Sequence, residues 1–197
     1  MPPVEEIQRY MAGAWRLMMG RPDGMKLLDI SGDGFWNSFF AIVVALPVML
    51  VGWVPIANEM LGPNTRFIDR AIYVLRLALV DVGSWVLPIA ALVAFAGAIG
   101  LRDRIVHYVV ASNWGSAVLV WFMLPASLVR LIWPEARDTV LAFSFGIFLA
   151  TLVLSWRLTN ASIDRGPGIA TGVFTGMLFG SILTLIALQD MLGVGVE

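Results

Sequence analysis

Five stretches of the chain contain no Asp, Glu, Lys or Arg, and their lengths limit the folds open to it. They cover residues 34–58, 82–101, 105–129, 139–156 and 166–189. A helix that crosses a bilayer needs about 20 mostly apolar residues, because the hydrocarbon core is about 30 Å thick and each residue adds about 1.5 Å. The pattern predicts five spans, at about 35–56, 80–101, 105–129, 139–156 and 168–189.

The composition supports a membrane protein of the helical kind. Of the 197 residues, 59% are hydrophobic and 14% are charged, whereas a soluble domain is about half apolar and a quarter charged. The apolar runs lack the alternation of barrel strands, and backbone groups in hydrocarbon must bond within their own segment. We expect an all-α membrane protein, a bundle of about five transmembrane helices with an N-terminal amphipathic interfacial helix.

Several classes of function are excluded by residue types that the chain lacks. It has no cysteine and one histidine, which excludes thiolate metal sites, thiol catalysis and multi-histidine metal sites. The net charge of −1 leaves no basic face for nucleic acid. Ser116 lies between Gly115 and Ala117, and the only histidine, His107, is on the same predicted helix, so a serine intramembrane protease is not indicated. We therefore expect no catalytic residue, no metal and no cofactor.

The first 33 residues form a segment before the membrane. Residues 4–20 predict an amphipathic helix, since apolar residues recur at spacings of three and four. The apolar face consists of Val4, Ile7, Met11, Ala14, Trp15 and Met18. This helix either lies in the membrane interface, anchored by Trp15, Arg9 and Arg16, or packs on the ends of the spans and buries the same face. Asp33 is the predicted cap of the first span.

The orientation follows from the Lys and Arg residues outside the spans. Eight lie in the N-terminal segment and in the second and fourth loops, and four lie in the other two loops. Cytoplasmic loops carry the excess of Lys and Arg. We expect residues 1–33 in the cytoplasm, residues 34–194 as the transmembrane domain, and the C-terminus outside.

A few polar residues fall within or next to the predicted spans. Asp81, placed near the membrane boundary, is either a proton or cation site or an interfacial acid that meets a cation on another helix. Ser112, Asn113 and Ser116 form a polar patch that either belongs to a transport site with Asp81 or hydrogen-bonds across helices without further role. Prolines within the spans favour a carrying role, since they kink helices; they are Pro47, Pro55, Pro88 and Pro125.

Four glycines repeat every fourth residue in the fifth span. They are Gly168, Gly172, Gly176 and Gly180, in the sequence GIATGVFTGMLFG. Such small-residue stripes let another helix approach closely. The stripe predicts a helix-packing seam, either against the second span of the same chain or against another chain.

The segment RPDGMKLLDISGDGFWNSFFAIVVALP, which leads into the first span, and the layout of all five spans resemble the small bacterial inner-membrane proteins of the Yip type. The resemblance implies a cytoplasmic N-terminal segment followed by five spans, and a place in the bacterial inner membrane. It assigns no functional residue.

Two functions remain open from the sequence. The first is a non-enzymatic scaffold or accessory subunit that acts through helix packing; its partners would be the lipid bilayer and either a homo-oligomer or a larger membrane complex, without nucleic acid. The alternative is a small transporter or channel subunit, with a polar site around Asp81 and Ser112, Asn113 and Ser116.

Overall fold

The computed structural model describes residues 2–133, 135 and 137–194. The helices are α1 (Val4–Met18), a 3₁₀ helix (Pro22–Leu27), α2 (Gly32–Ser38), α3 (Phe40–Leu61), α4 (Phe67–Phe95), α5 (Ile105–Ile132), α6 (Arg137–Ile163) and α7 (Pro167–Leu192). Five of them are long and apolar enough to cross a membrane, with α2 and α3 forming one span. The predicted all-α bundle is confirmed, and the chain is a multi-pass membrane protein.

Two helices extend well past the predicted spans. α4 begins at Phe67, well before the predicted start at residue 80, although it ends at Phe95, six residues before the predicted end at 101; α6 continues past residue 156 to Ile163. The prediction divided the chain at charged residues, but a helix continues beyond the hydrocarbon wherever water or protein can solvate its side chains. Asp81, expected near the boundary, therefore lies at the middle of the 29-residue α4.

Successive spans run in opposite directions, so that their ends meet at two sides of the bundle. We call the end with residues 96–104 and 164–166 the N-side, and the end with residues 62–66 the C-side. α3 and α5 run in the same direction, since Asn113 contacts Ser38 near the N-side and Arg130 contacts Glu59 near the C-side.

The remaining long helices complete the bundle around this pair. α4 packs against α3 and α7, and α6 packs against α5 and α7. On the N-side, ion pairs join the α4–α5 loop to the α6–α7 loop: Arg104 lies 3.3 Å from Asp164, and Arg165 lies 2.7 Å from Asp103. The hydrogen bond from Arg165 holds the pKa of the Asp103 carboxyl below its usual value.

The amphipathic helix α1 packs on the bundle. Tyr10, Ala14, Leu17 and Met18 are buried in a cluster with residues of α5 and α6. The ring of Tyr10 lies 5.2 Å from that of Trp114 on α5. Of the two arrangements open from the sequence, the structure therefore shows α1 packed against the spans.

The buried face of α1 differs from the predicted one. Of the predicted apolar face, Ala14 and Met18 are buried, but Val4 is 67% exposed and Trp15 is 38% exposed. Relative to the prediction, α1 is rotated about its own axis, so that Tyr10 and Leu17 face the spans. Gly24 of the 3₁₀ helix also approaches α1 so closely that a Cβ there would collide with the Gly13 carbonyl.

The three predicted interfacial anchors have partners within the protein. Arg9 lies 3.6 Å from Glu6, and Arg16 lies 2.9 Å from Asp23 of the 3₁₀ helix. The ring of Trp15 lies 5.4 Å from that of Phe122 on α5.

The turn before the first span is capped by a different residue than predicted. Ser31 is the N-cap of α2, and its hydroxyl accepts a hydrogen bond of 3.0 Å from the Gly34 amide. Asp29 accepts from the Ser31 amide at 3.0 Å, and hydrogen bonding from Ser31 lowers the pKa of its carboxyl. Asp33 lies two residues after the N-cap, inside the helix.

Candidate functional site

A cavity of about 520 Å³ lies between α4, α5, α6 and α7, with Met18 of α1 in its wall. Its size is within the range of about 300–1,000 Å³ that small-molecule sites have. Thirteen of the 21 lining residues are apolar or glycine, and the other eight carry a hydroxyl. The hydroxyl-bearing residues are Ser84, Tyr108, Ser112, Ser116, Thr151, Ser155, Thr159 and Ser181.

Helical spacing brings these hydroxyls into one space. Tyr108, Ser112 and Ser116 are four residues apart on α5, and Thr151, Ser155 and Thr159 are four apart on α6. Residues four apart lie on one face of a helix. The antiparallel packing of α5 and α6 then turns the two rows toward each other, and both line the cavity.

The close approach of α5, α6 and α1 beside the cavity depends on a glycine. A Cβ on Gly115 would lie 2.5 Å from Cδ1 of Leu158 and 3.0 Å from Cε of Met18. The missing side chain leaves room for both, so that Leu158 and Met18 close this part of the wall.

Apart from that of Tyr108, whose side chain is almost fully buried, the lining hydroxyls are of two kinds. Those of Ser84, Ser112, Thr151 and Thr159 donate to carbonyls three or four residues earlier on their own helices. They present only lone pairs to the cavity. The hydroxyls of Ser116, Ser155 and Ser181 take part in none of the hydrogen bonds found between the described residues, and a hydroxyl both donates and accepts. The cavity can therefore hydrogen-bond a ligand in both senses.

Asn113, predicted to share a site with Ser112 and Ser116, is a packing residue. It is fully buried, and its Oδ1 accepts from the Trp85 indole at 3.0 Å. Its Nδ2 donates to the Ser38 hydroxyl at 2.8 Å. These bonds fix α2, α4 and α5 together, and Asn113 does not line the cavity.

Asp81 also lies apart from the cavity. Its Oδ2 accepts a hydrogen bond of 2.6 Å from the Trp53 indole, which joins α4 to α3. None of the ion pairs found among the described residues includes Asp81. The predicted interfacial cation is replaced by an indole, and the structure separates Asp81 from Ser112 and Ser116.

Several lining residues were missed from the sequence. Thr151, Ser155 and Thr159 form a stripe on α6 that was readable from their spacing, but Thr159 lies beyond the predicted end of the fourth span at residue 156. Ser84 and Ser181 stand alone in apolar sequence, and nothing there marks them as lining residues.

The glycine stripe faces away from the bundle for most of its length. A Cβ on Gly168, Gly172 or Gly176 would meet nothing within 4 Å. A Cβ on Gly180 would lie 3.6 Å from Cβ of Pro88 on α4. The expected seam within the chain is therefore limited to Gly180, and the other three glycines form an open surface.

The cavity wall is thinner on the C-side, where α6 leaves the bundle. The buried residues of α6 are Leu158, Thr159, Ser162 and Ile163, all within its N-side end. Toward the C-side end of the helix, Val153 is 58% exposed and Leu141 is 70% exposed. Phe148 lines the cavity and is also 49% exposed, so the cavity reaches the outer surface of the bundle here.

Comparison with known proteins adds no relative to this description. No protein-family model, no curated protein and no solved structure matches the chain. The resemblance to the Yip-type proteins stays a prediction from the sequence, and the function has to be inferred from the cavity.

Proposed function

We propose that the protein binds an uncharged small molecule in the cavity between α4, α5, α6 and α7 and carries it within or across the membrane. The observation that supports this most directly is the cavity itself, about 520 Å³ with hydroxyls from all four helices. Ligand sites of helical bundles are built in this way, from side chains on facing helices.

A cavity of this size requires an explanation in terms of an occupant. Protein interiors are close-packed, and voids larger than a water molecule are few. The packing around Trp114 on the opposite face of α5 shows that this sequence builds a tight core, with Trp114 only 1% exposed. The open volume is thus local to the cavity.

The lining favours a neutral ligand over an ion. None of its 21 residues carries a charge, and an isolated ion in such surroundings would lack a counter-charge. The lining also lacks a carboxylate or imidazole that could act as a general acid or base. We propose binding and transfer of a ligand without a chemical step, so the protein is not an enzyme.

We also propose a bacterial inner membrane as the location, with the N-terminus in the cytoplasm. The excess of Lys and Arg supports the N-side as the cytoplasmic side. Arg157 lies within α6 and not in a loop, but it still reaches the N-terminal segment, where it donates to the Met19 carbonyl at 3.0 Å.

Native mass spectrometry of the gently extracted protein tests the binding proposal. The double variant Ser116→Leu with Ser155→Leu fills the cavity, and Ala142→Leu adds the same side chain at an exposed position of α6. We expect wild type and Ala142→Leu to retain a bound small molecule and the double variant to lose it. Equal retention in all three proteins, or none in wild type, would refute the proposal.

A second candidate function is assembly with another helix, as a scaffold or accessory subunit. The open surface at Gly168, Gly172 and Gly176 favours it, since glycines let a second backbone come close. Under this candidate function, Gly172→Leu with Gly176→Leu reduces the mass of the extracted particle, and Ala150→Leu on the exposed side of α6 does not. An unchanged particle mass in the glycine variant counts against assembly.

A further inference from the structure

We infer that the occupant of the cavity is an uncharged lipid of the bilayer, with one long apolar chain and a hydroxyl or ester head, which enters sideways past the C-side half of α6. The inference rests on the proposed function and specifies its ligand. Three features support it: where the cavity opens, how polarity is distributed along it, and what closes its other end.

The opening faces hydrocarbon. The C-side half of α6 has no buried residue among those that the structure describes and is mostly exposed, and Phe148 belongs both to the cavity wall and to the outer surface. Phe148 and the facing Met123 lie inside helices that are long enough to span the membrane. Whatever enters here comes from the acyl chains and not from water.

The polarity of the cavity wall changes along α5; on α4 and α7 the order is the reverse, because Ser84 and Ser181 lie nearer the C-side than Ile89 and Phe174 do. On α5, the hydroxyl-bearing Tyr108, Ser112 and Ser116 lie toward the N-side, and the apolar Leu119, Val120 and Met123 follow toward the C-side. An amphiphile that enters from the C-side head first would bring its head to Ser116 and Ser155. Its chain would then lie among the apolar residues near the opening.

The N-side end is closed to water-borne solutes. The ion pairs Arg104–Asp164 and Arg165–Asp103 tie the two loops over this end. Below them Tyr108 and Ile163 are buried in one apolar cluster. A soluble ligand would have to break both pairs and cross this cluster.

The head group must be uncharged. A phosphate or carboxylate at Ser116 would find hydroxyls and no cation among the lining residues, and a buried charge without a partner is costly. An alcohol or ester suits the site, because Ser116 and Ser155 can donate to it or accept from it.

Photolabelling of the purified protein in nanodiscs tests the ligand class. The probe is a long-chain alcohol that carries a diazirine, compared with the matching diazirine carboxylate and with a short water-soluble diazirine diol. Mass spectrometry of the digested protein locates the label. We expect the alcohol to label the lining segments of α5 and α6 about tenfold more than the carboxylate does. A tenfold ratio needs a free-energy difference of about 1.4 kcal/mol, and burying the unpaired charge of the carboxylate costs at least that much.

Two variants and one control make the result specific to the cavity. We expect Ser116→Leu with Ser155→Leu to abolish labelling of the lining segments. Ser116→Ala keeps the cavity open and removes one hydroxyl, so labelling by the alcohol falls severalfold in a protein that stays folded. Ala142→Leu, on the exposed side of α6, leaves the labelling of wild type unchanged.

The outcomes separate the ligand class from the proposed function. Cavity labelling by the diol alone, or equally by carboxylate and alcohol, overturns the lipid inference and leaves small-molecule binding intact. Labelling by the alcohol that is confined to exposed residues of α6 and persists in the filled variant overturns the lipid inference as adventitious surface contact. Absence of cavity labelling by all three probes, with no bound molecule in native mass spectrometry, overturns both.

Discussion

The two faces of α5 carry similar kinds of residues, but these residues have different roles. On the face toward α1 and α2, Trp114 and Asn113 are fully buried, and both hydrogen-bonding groups of the Asn113 amide are used. On the face toward α6 and α7, Ser112 and Ser116 are half-buried and line a cavity. Adjacent polar residues thus differ in role because of what packs opposite them.

The difference extends to the helices on either side. We call α1, α2, α3 and the α5 face toward them the tight region, and α6, α7 and the opposite α5 face the cavity region. The tight region contains fully buried side chains such as Leu17 and Trp114, so truncating them costs stability. The cavity region keeps open volume, and its side chains are available to a ligand. The first predictions below compare matched changes in the two regions.

The largest effect is expected for Trp114→Ala. Removing a fully buried tryptophan costs about 3–5 kcal/mol, and Trp114 also stacks on Tyr10 of α1. The matched change Trp156→Ala removes a half-buried indole of α6 that donates to the Thr171 hydroxyl of α7 at 2.9 Å; we expect about 1 kcal/mol. The free energy of unfolding in mixed detergent micelles measures both. Equal losses would contradict the distinction between the regions.

The next effect is expected for Asn113→Leu. The change leaves the Trp85 indole and the Ser38 hydroxyl without their partner, which costs about 1–3 kcal/mol. Ser116→Leu, three residues away, extends into the cavity and should change the free energy of unfolding by less than about 1 kcal/mol. The same unfolding experiment compares them, and a greater loss for Ser116→Leu would place the open volume elsewhere.

A more local effect of about the same size is expected for Gly24→Ala. Its Cβ would collide with the Gly13 carbonyl and approach the Leu17 amide nitrogen to 3.0 Å, a backbone conflict worth about 1–3 kcal/mol. Because α1 is held through this contact, amide hydrogen exchange in α1 should become faster. Gly172→Ala adds the same methyl where nothing lies within 4 Å, and its exchange should match wild type. Unchanged exchange in Gly24→Ala would show that α1 docks without the 3₁₀ helix.

The smallest effect is expected from pH. The pKa of Asp103 is lower in the folded protein than its usual value, because Arg165 hydrogen-bonds to the carboxylate. The stabilisation is therefore fully present above the usual pKa of about 3.9 and is lost as the pH falls through the lower folded value. Spin labels at residues 102 and 166 should report a wider distance between the N-side loops only as the pH falls through this lower folded pKa, and not yet at pH 4.

A control separates this ion pair from general acid unfolding. Asp103→Asn should give the wider distance already at neutral pH, with less change on acidification. If the loops stay at the wild-type distance in Asp103→Asn, the pair with Arg165 does not hold them.

The spans were predictable because crossing hydrocarbon imposes a requirement on each segment by itself. Their ends were not, since a charged residue marks where the prediction stops and not where the helix stops. Asp81 shows most clearly what local sequence cannot predict. Its partner, the Trp53 indole, is 28 residues away in the chain, and no local sequence pattern indicates such a pair.

The cavity was predictable only in part. Ser112 and Ser116 were singled out as polar residues in an apolar run, and the structure places both on the cavity wall. Asn113 was grouped with them because it is adjacent in sequence, but a shift of one residue turns a side chain by about 100° around a helix. Which face meets a neighbour and which meets open space depends on the packing of the whole bundle, as the outward-facing Gly172 also shows.

The docking of α1 has a consequence for the order in which the protein is made. The Met19 carbonyl accepts its hydrogen bond from Arg157, 138 residues later in the chain. At about 5–20 residues synthesised per second, the ribosome needs roughly 7–28 s to cover that distance. During that interval the apolar face of α1 has no partner from α6 and must be shielded by the membrane surface or by another protein. The helix α1 thus leaves the ribosome well before the α6 residues that help to hold it in place.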